Sequence, residues 1–265
     1  MDISESSGPS GTRKIAPDAP LSSRRISSSE DSGSRPAPEA RQSLIRDLWE
    51  LTKPEISFLV TLSALAGFLL ASLPGLDLAA LIYTVLATAL TSGGSGVLNH
   101  YREWTIDAKM RRTQNRPLPA GRINPASAAL FGGCLVLSGL ALLVIFINLL
   151  TAVLALTTVV LYLALYTPLK RVTTYNTLIG CFPGALPALG GWTAATGSFG
   201  LGGWLLFGML FTWQMPHFLA LAWMYRTDYE RGGFQMLPVV DRSGDSTAYQ
   251  TLHFTGLLVL LSILP

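Results

Sequence analysis

From residue 56 onward, long apolar runs alternate with short polar ones. The runs are Ile56–Leu73, Leu78–Leu98, Ala126–Ile147, Leu149–Thr167, Asn176–Thr196, Leu201–Met224 and Ala248–Pro265, and they are rich in Leu, Ala and Gly. Each comes close to the ~20 residues with which an α-helix crosses a bilayer. The pattern predicts an all-α, polytopic transmembrane helical bundle with seven spans. Three connections are tiny: Pro74-Gly75-Leu76-Asp77, Asn148, and Gly197 to Gly200. The other three are long and polar. No repeat of 20–50 residues is visible, so a solenoid is not supported.

The first 45 residues follow a different rule. They are rich in Ser, Pro, Gly and Arg and contain no apolar run, so they cannot bury a core and are expected to be disordered. They hold no h-region of a signal peptide. Asp2, Glu5, Asp18, Glu30, Asp31 and Glu39 argue against an acid-poor transit peptide. The expected division is a disordered cytoplasmic tail over 1–45 and a transmembrane domain over 46–265. The tail could also carry phosphorylation or partner docking. The last run stops at Pro265 without a polar cap, so the domain is expected to be incomplete at its C-terminal side.

Composition turns the pattern into a compartment. Hydrophobic residues make up 49% and charged residues 13%, with mean hydropathy +0.41; soluble domains carry about 25% charged residues. Residues 1–55 hold 8 of the 19 Lys and Arg and 9 of the 16 Asp and Glu. A soluble fold after about residue 55 is therefore excluded. With alternating crossings, all 19 basic residues fall on one side of the bilayer, which the positive-inside rule makes cytoplasmic. The expected location is a cell membrane, with the polar site and tail on the cytoplasmic side. The net charge of +3 then encodes topology rather than a nucleic-acid partner. Cys134 and Cys181 lie in apolar runs without a second thiol or histidine at ligand spacing, so neither a disulfide nor a zinc site is supported, and two buried thiols are expected.

Candidate chemistry gathers in the three long connections. If the second helix continues past Leu98, Asn99, Glu103 and Asp107 fall at i, i+4 and i+8 on one face. Two carboxylates at i, i+4 repel unless a cation lies between them, and hard oxygen ligands of this kind suit Mg²⁺ with substrate phosphates. A solvated helix end neutralised by Arg102, Lys109 and Arg111 accounts for the same spacing. Arg112, Thr113 and Arg116 follow; Arg suits bidentate phosphate binding, and positive-inside anchoring is the plainer reading. Tyr166-Thr-Pro-Leu-Lys170-Arg171 leaves the same choice open. His217 lies inside an apolar span, where an ionisable group is a functional candidate, although a buried histidine is often simply hydrogen-bonded. On one continuous helix His217 and Asp228 would share a face about 16 Å apart. Carboxylates, bases and an apolar interior together describe a site for an amphiphile with an anionic head and a lipid tail, such as a prenyl diphosphate.

The run Asn99 to Gly121 resembles the first aspartate-rich motif of the UbiA superfamily of intramembrane prenyltransferases. Its Met110, Arg112-Thr113, Arg116-Pro117-Leu118 and Gly121 are similar to the protohaem IX farnesyltransferase (haem O synthase) subfamily. So are Tyr166 to Arg171, Asn176, Gly184-Ala185, Pro187 and Gly191-Trp192. Trp213, Met215-Pro216-His217-Phe218, Asp228-Tyr229 and Met236-Leu237-Pro238-Val239-Val240 continue the likeness, which spans roughly residues 45–265. It departs at Glu103, where Asp is commoner, and at Glu230, which follows Asp228 at i+2 rather than i+4.

The resemblance implies nine helices and a Mg²⁺-dependent transfer of farnesyl from farnesyl diphosphate to the vinyl group of protohaem IX, with water adding and diphosphate leaving. By position, Asn99, Glu103, Asp107 and Asp228 would bind Mg²⁺, with Asp107, Asp228 and Lys170 catalytic. Asn99, Arg112, Arg116 and Arg171 would hold the diphosphate, and His217 would contact haem iron or a propionate. Haem is then a substrate rather than a bound cofactor, and haem A synthase or cytochrome oxidase assembly proteins are the implied protein partners. Two rivals remain: a UbiA-type enzyme with a quinone-precursor aromatic acceptor, and a cation-coupled transporter. The latter should carry its ionisable groups near the midplane in broken helices.

Overall fold

The computed structural model describes residues 38–73 and 75–264, and of residues 38–42 the backbone alone. Helix α1 (Pro38–Leu51) precedes α2 (Pro54–Ala71), α3 (Leu78–Asp107) and α4 (Pro125–Phe146). Next come α5 (Leu149–Val160), a π-helical turn (Leu161–Tyr166) and α6 (Thr167–Leu169), which together form one span. The chain continues through α7 (Asn176–Thr196), α8 (Leu201–Met224), α9 (Arg226–Arg231), α10 (Leu237–Val240) and α11 (Asp245–Ser262). Among the described residues there is no strand.

Three helix starts are capped by side chains. Asp77 accepts from the Ala80 amide at 3.0 Å, Asn124 from Ala126 at 2.8 Å and Asn148 from Thr151 at 2.8 Å, each pairing a donor that the helix start would leave orphaned. Small residues then let the helices approach. A Cβ on Gly191 would lie 1.9 Å from the Ala64 carbonyl oxygen, and one on Gly67 2.1 Å from that of Ala188, so α2 and α7 pack backbone to backbone. Gly94 meets Gly132 in the same way between α3 and α4. Close packing through small residues is how helices associate where lipid removes the hydrophobic drive.

Among the described residues six helices are long and apolar enough to cross a membrane, and only 17–44% of each most apolar window is buried. The exposed remainder includes Leu59, Leu130, Leu137, Ile145 and Leu201, the surface of a multi-pass membrane protein. The seventh expected span is the exception. It forms the helix α11, but Asp245, Ser246, Thr247, Tyr249, Gln250, Thr251 and His253 fill its first half, so its apolar stretch is too short to count with the six.

The three polar connections and α1 close one end of the bundle as a single cap. Asp228 accepts from the Arg112 amide, the Gln235 amide donates to the Lys170 carbonyl, Asn176 donates to the Gln235 carbonyl, and Arg122 donates to Asp47 at 2.9 Å. The basic connections therefore do share one side, as alternating crossings require. Three expectations change. Residues 38–45 of the supposed tail belong to α1, while residues 1–37 lie outside the described residues. Cys134 is exposed and only Cys181 is buried, because Cys134 sits on the outward face of α4. Finally, α8 stops at Met224, and Tyr225 (φ −103°, ψ 18°) turns the chain into α9, so His217 and Asp228 do not share a continuous helix.

Candidate functional site

A cavity of about 960 Å³ runs inside the bundle between α2, α3, α5, α7 and α8. Its far part is walled by Leu143, Leu154, Leu186 and Leu210, and its near part by the polar groups beneath the cap. Helix α3 does continue through the first acidic motif, so Asn99, Glu103 and Asp107 lie on one face, buried to 1, 5 and 2% exposure.

Each of the three is held by its own cation. Lys53 donates to Asn99 Oδ1. Lys170 Nζ lies 2.9 and 3.0 Å from the two oxygens of Glu103. Arg116 donates to Asp107 Oδ2 at 2.8 Å. Asn99 Nδ2 also donates to Glu103 at 3.0 Å and to Thr167 Oγ1 at 3.1 Å. Like charges at i, i+4 are thus separated by basic groups from three other segments, the arrangement that makes burying them tolerable.

Local backbone explains the aim of these cations. Lys53 is the only non-glycine residue with positive φ among those described, at φ 50° and ψ 62°. That left-handed geometry is costly for a side chain bearing Cβ, and it turns the ammonium inward between α1 and α2. The π-helical turn inserts an extra residue into the span, a feature common at functional sites. It lets Thr167 donate to the Tyr162 carbonyl at 2.8 Å and brings Tyr162, Tyr166 and Lys170 to the cavity wall. The Lys170 ammonium lies 4.7 Å from the centre of the Tyr166 ring.

Charge states follow from these contacts. Burial, then the charges of Arg116 and Lys170, push Lys53 down to about 7 against the pull of Glu103 and Asp107. For Lys170 burial acts the same way, but Glu103, Tyr166 and Tyr162 outweigh it and carry the group upward. In the cap, the Arg112 amide, with help from Arg231, holds Asp228 below the usual carboxylate range.

Of the residues singled out in the sequence, Asn99, Glu103, Asp107, Arg112, Arg116, Lys170 and His217 line the cavity together. His217 stacks on Trp213 with ring centroids 4.9 Å apart. Arg171 and Asp228 are not part of the lining. Asp228 instead accepts the Arg112 amide at 3.0 Å and Arg231 at 3.1 Å, so it shapes the loop that carries Arg112. Sequence reasoning missed Lys53, His100, Tyr162 and Thr167. Lys53 is one of the eight basic residues ahead of residue 56, and the only available signal was its place just before Pro54.

The oxygen donors fit Mg²⁺ in one specific sense. Among the described residues no three His, Cys, Asp or Glu side chains gather into a metal cage. Mg²⁺ typically takes one or two carboxylates and completes its shell with water and substrate phosphates, which is what Asn99, Glu103 and Asp107 facing a basic cavity can offer.

An apolar chamber inside a membrane bundle, closed at one end by matched acids and bases, defines a protein that receives an amphiphile with an anionic head. Comparison with known proteins agrees. Through residues 60–265, the chain belongs to the UbiA prenyltransferase family. It is 60% identical to the protoheme IX farnesyltransferase of Salinibacter ruber, over 82% of this chain and 78% of that one. It is 41% identical to the mitochondrial protoheme IX farnesyltransferase of Homo sapiens, over 82% of this chain and 49% of the relative. Among solved structures, a digeranylgeranylglyceryl phosphate synthase matches with TM-score 0.70 at 20% identity, covering 84% of this chain and 77% of that one. A UbiA homolog from Archaeoglobus fulgidus bound to DMAPP and Mg²⁺ matches with TM-score 0.69 at 17% identity, over 81% and 76%. These structural likenesses establish the fold.

Proposed function

We propose that this chain transfers a farnesyl group from farnesyl diphosphate to a vinyl group of protohaem IX, with addition of water, giving haem O and diphosphate. The observation that carries the reading is the three-fold pairing of Asn99, Glu103 and Asp107 with Lys53, Lys170 and Arg116 at the head of an apolar cavity, in a chain 60% identical to a protein named for this reaction.

The diphosphate head lies beneath the cap, where Arg112, Arg116, Lys53 and Lys170 meet its oxygens and the farnesyl tail follows the apolar walls. Asn99, Glu103 and Asp107 would hold Mg²⁺, which supplies neutralisation of the charge that develops on the leaving group. Cations aimed in advance at that charge lower the barrier to ionisation, since they need not reorganise as it forms. The surrounding apolar walls keep bulk water from the allylic cation. Lys170 is held by Glu103 and the Tyr166 ring, so its charge stays fixed. Asp228 acts through the backbone of Arg112. His217, stacked on Trp213, offers a nitrogen to the haem iron or to a propionate.

The polar cap faces the cytoplasm of a bacterial inner membrane, on the strength of its basic residues. An apolar haem product remains in the bilayer, so haem A synthase or oxidase assembly proteins are the natural recipients. The test is incubation of the purified chain in nanodiscs with haem B, farnesyl diphosphate and Mg²⁺, read by product mass. The expected product is haem B plus one farnesyl and one water. Prenylation of 4-hydroxybenzoate with haem left unchanged would overturn the assignment in favour of an aromatic acceptor.

A further inference from the structure

His100 is the only described residue whose buried side-chain nitrogens are left without a hydrogen-bond partner. Both Nδ1 and Nε2 are unpaired, the residue is 2% exposed, and it lines the cavity. An unpaired buried polar group is costly, and a small polar ligand or ordered water is the usual resolution. Around it the polar groups are already engaged: Asn99 with Lys53, Glu103 with Lys170, and Asp107 with Arg116.

A second observation points the same way. The wall of α3 on the far side of His100 carries hydroxyls into the same cavity, at Thr84, Thr88, Thr91, Ser92 and Ser95. Thr91 and Ser95 donate to the carbonyls four residues back, at 2.7 and 2.8 Å, which leaves their oxygen lone pairs free to accept. Leu143, Leu154, Leu186 and Leu210 supply apolar lining elsewhere in the cavity. The chamber therefore holds both apolar surface and, along α3, polar surface able to hold water.

The reaction proposed above needs both. As the bond from farnesyl C1 to diphosphate oxygen breaks, the vinyl π pair forms the new C–C bond to C1. The positive charge then sits on the vinyl carbon attached to the macrocycle. A water oxygen bonds to that carbon and its surplus proton passes to the diphosphate. With no water in place, the same cation loses a proton from the adjacent CH₂ to diphosphate and yields an alkene lighter by one water. Since C1 starts out bonded to the diphosphate, the reacting carbons lie next to the polar head, and the water must be held there. We propose that His100 holds the water that adds to the vinyl carbon, making it a positioning residue for hydration. The proposal rests on the haem-farnesylating reading.

The test is the partition between hydroxylated and alkene products, measured by mass in nanodiscs with ¹⁸O-water to mark the added oxygen. Wild type gives the hydroxylated product. His100→Leu shifts the ratio toward alkene by about tenfold, the loss of one well-placed hydrogen bond, and His100→Gln, which keeps a polar contact, restores it. Ser95→Ala, which removes a hydroxyl from another face of α3 about 7.5 Å along the helix, leaves the ratio unchanged. If His100→Leu lowers both products in proportion, or Ser95→Ala shifts the ratio as far as His100→Leu does, the water site is overturned. If wild type prenylates no haem, the underlying reading fails, and the water site with it.

Discussion

Two acidic segments on the polar end of the bundle carry similar residues in opposite surroundings. In α3, Asn99, Glu103 and Asp107 are buried and face a cavity, each tied to a cation from a different segment. In α9, Asp228 and Glu230 lie in the cap, paired at 3.1 and 3.2 Å with Arg231 and Arg242, which are 38% and 84% exposed. Burial strengthens the electrostatics of the first segment and makes any unpaired member costly, while water reaches the arginines of the second and screens them. The α3 group therefore faces the cavity directly, and Asp228 of α9 reaches it through the backbone of Arg112.

The largest expected effect is on the buried pair. Glu103→Ala leaves Lys170 charged with only 11% of its side chain exposed, so stability should fall by about 3–5 kcal/mol, the usual result of removing one partner of a buried pair. Thermal unfolding in detergent checks this, and a loss near 0.5 kcal/mol would mean that the pair is solvated. Asp107→Asn keeps shape and removes charge. It should preserve folding but lower haem O formation at least about a hundredfold, the scale of losing one group that stabilises transition-state charge; near wild-type turnover would remove Asp107 from the metal site.

Lys53 sharpens the comparison through pH. Its folded value is about 7 against an ordinary 10.5, so between those values the unfolded chain binds more protons and stability rises with pH. Below about 7 both states are protonated and the burial penalty is fully present. Lys53→Met should flatten that rise, read as the difference between mutant and wild-type unfolding curves from pH 7 to 9. An unchanged slope would show Lys53 to be solvated.

Asp228 should matter less, and in a different parameter. Asp228→Asn weakens its hold on the Arg112 amide, so the KM for farnesyl diphosphate should rise several-fold, about 1 kcal/mol, while kcat holds. Arg112→Ala should weaken binding too, and the double variant should be no worse than Arg112→Ala alone. Because Asp228 is held below the usual carboxylate range, its help is present above the ordinary carboxylate value and fades as pH falls through the folded one. A collapse of kcat would instead place Asp228 on the metal.

The sequence revealed more of the fold than of the site. Apolar runs located α7 and α8 to the residue, since hydropathy reports directly on lipid contact. It overcounted at α11, whose polar first half only becomes decisive once the helix start at Asp245 is known. The first motif was legible because a helical period gathers it on one face. Lys170 and Arg116 were legible as candidates but their pairing with it was not, and Lys53 was missed, since Lys53 and Lys170 reach it from 46 and 67 residues away through a left-handed residue and a π-helical turn that no period announces. Tyr225 broke the expected helix, and so separated His217 from Asp228.

The smallest effect closes the comparison. Arg242 and Glu230 are paired at 3.2 Å, but their side chains are 84% and 59% exposed, and neither touches Arg112. Exposed pairs lose in side-chain entropy and salt screening most of what they gain by attraction. Arg242→Ala should therefore cost under about 0.5 kcal/mol, with that small loss vanishing in high salt and farnesyl diphosphate affinity unchanged. A salt-insensitive loss accompanied by weaker binding would mean that the α9 segment carries charge into the site after all, and the contrast between the two acidic segments would disappear.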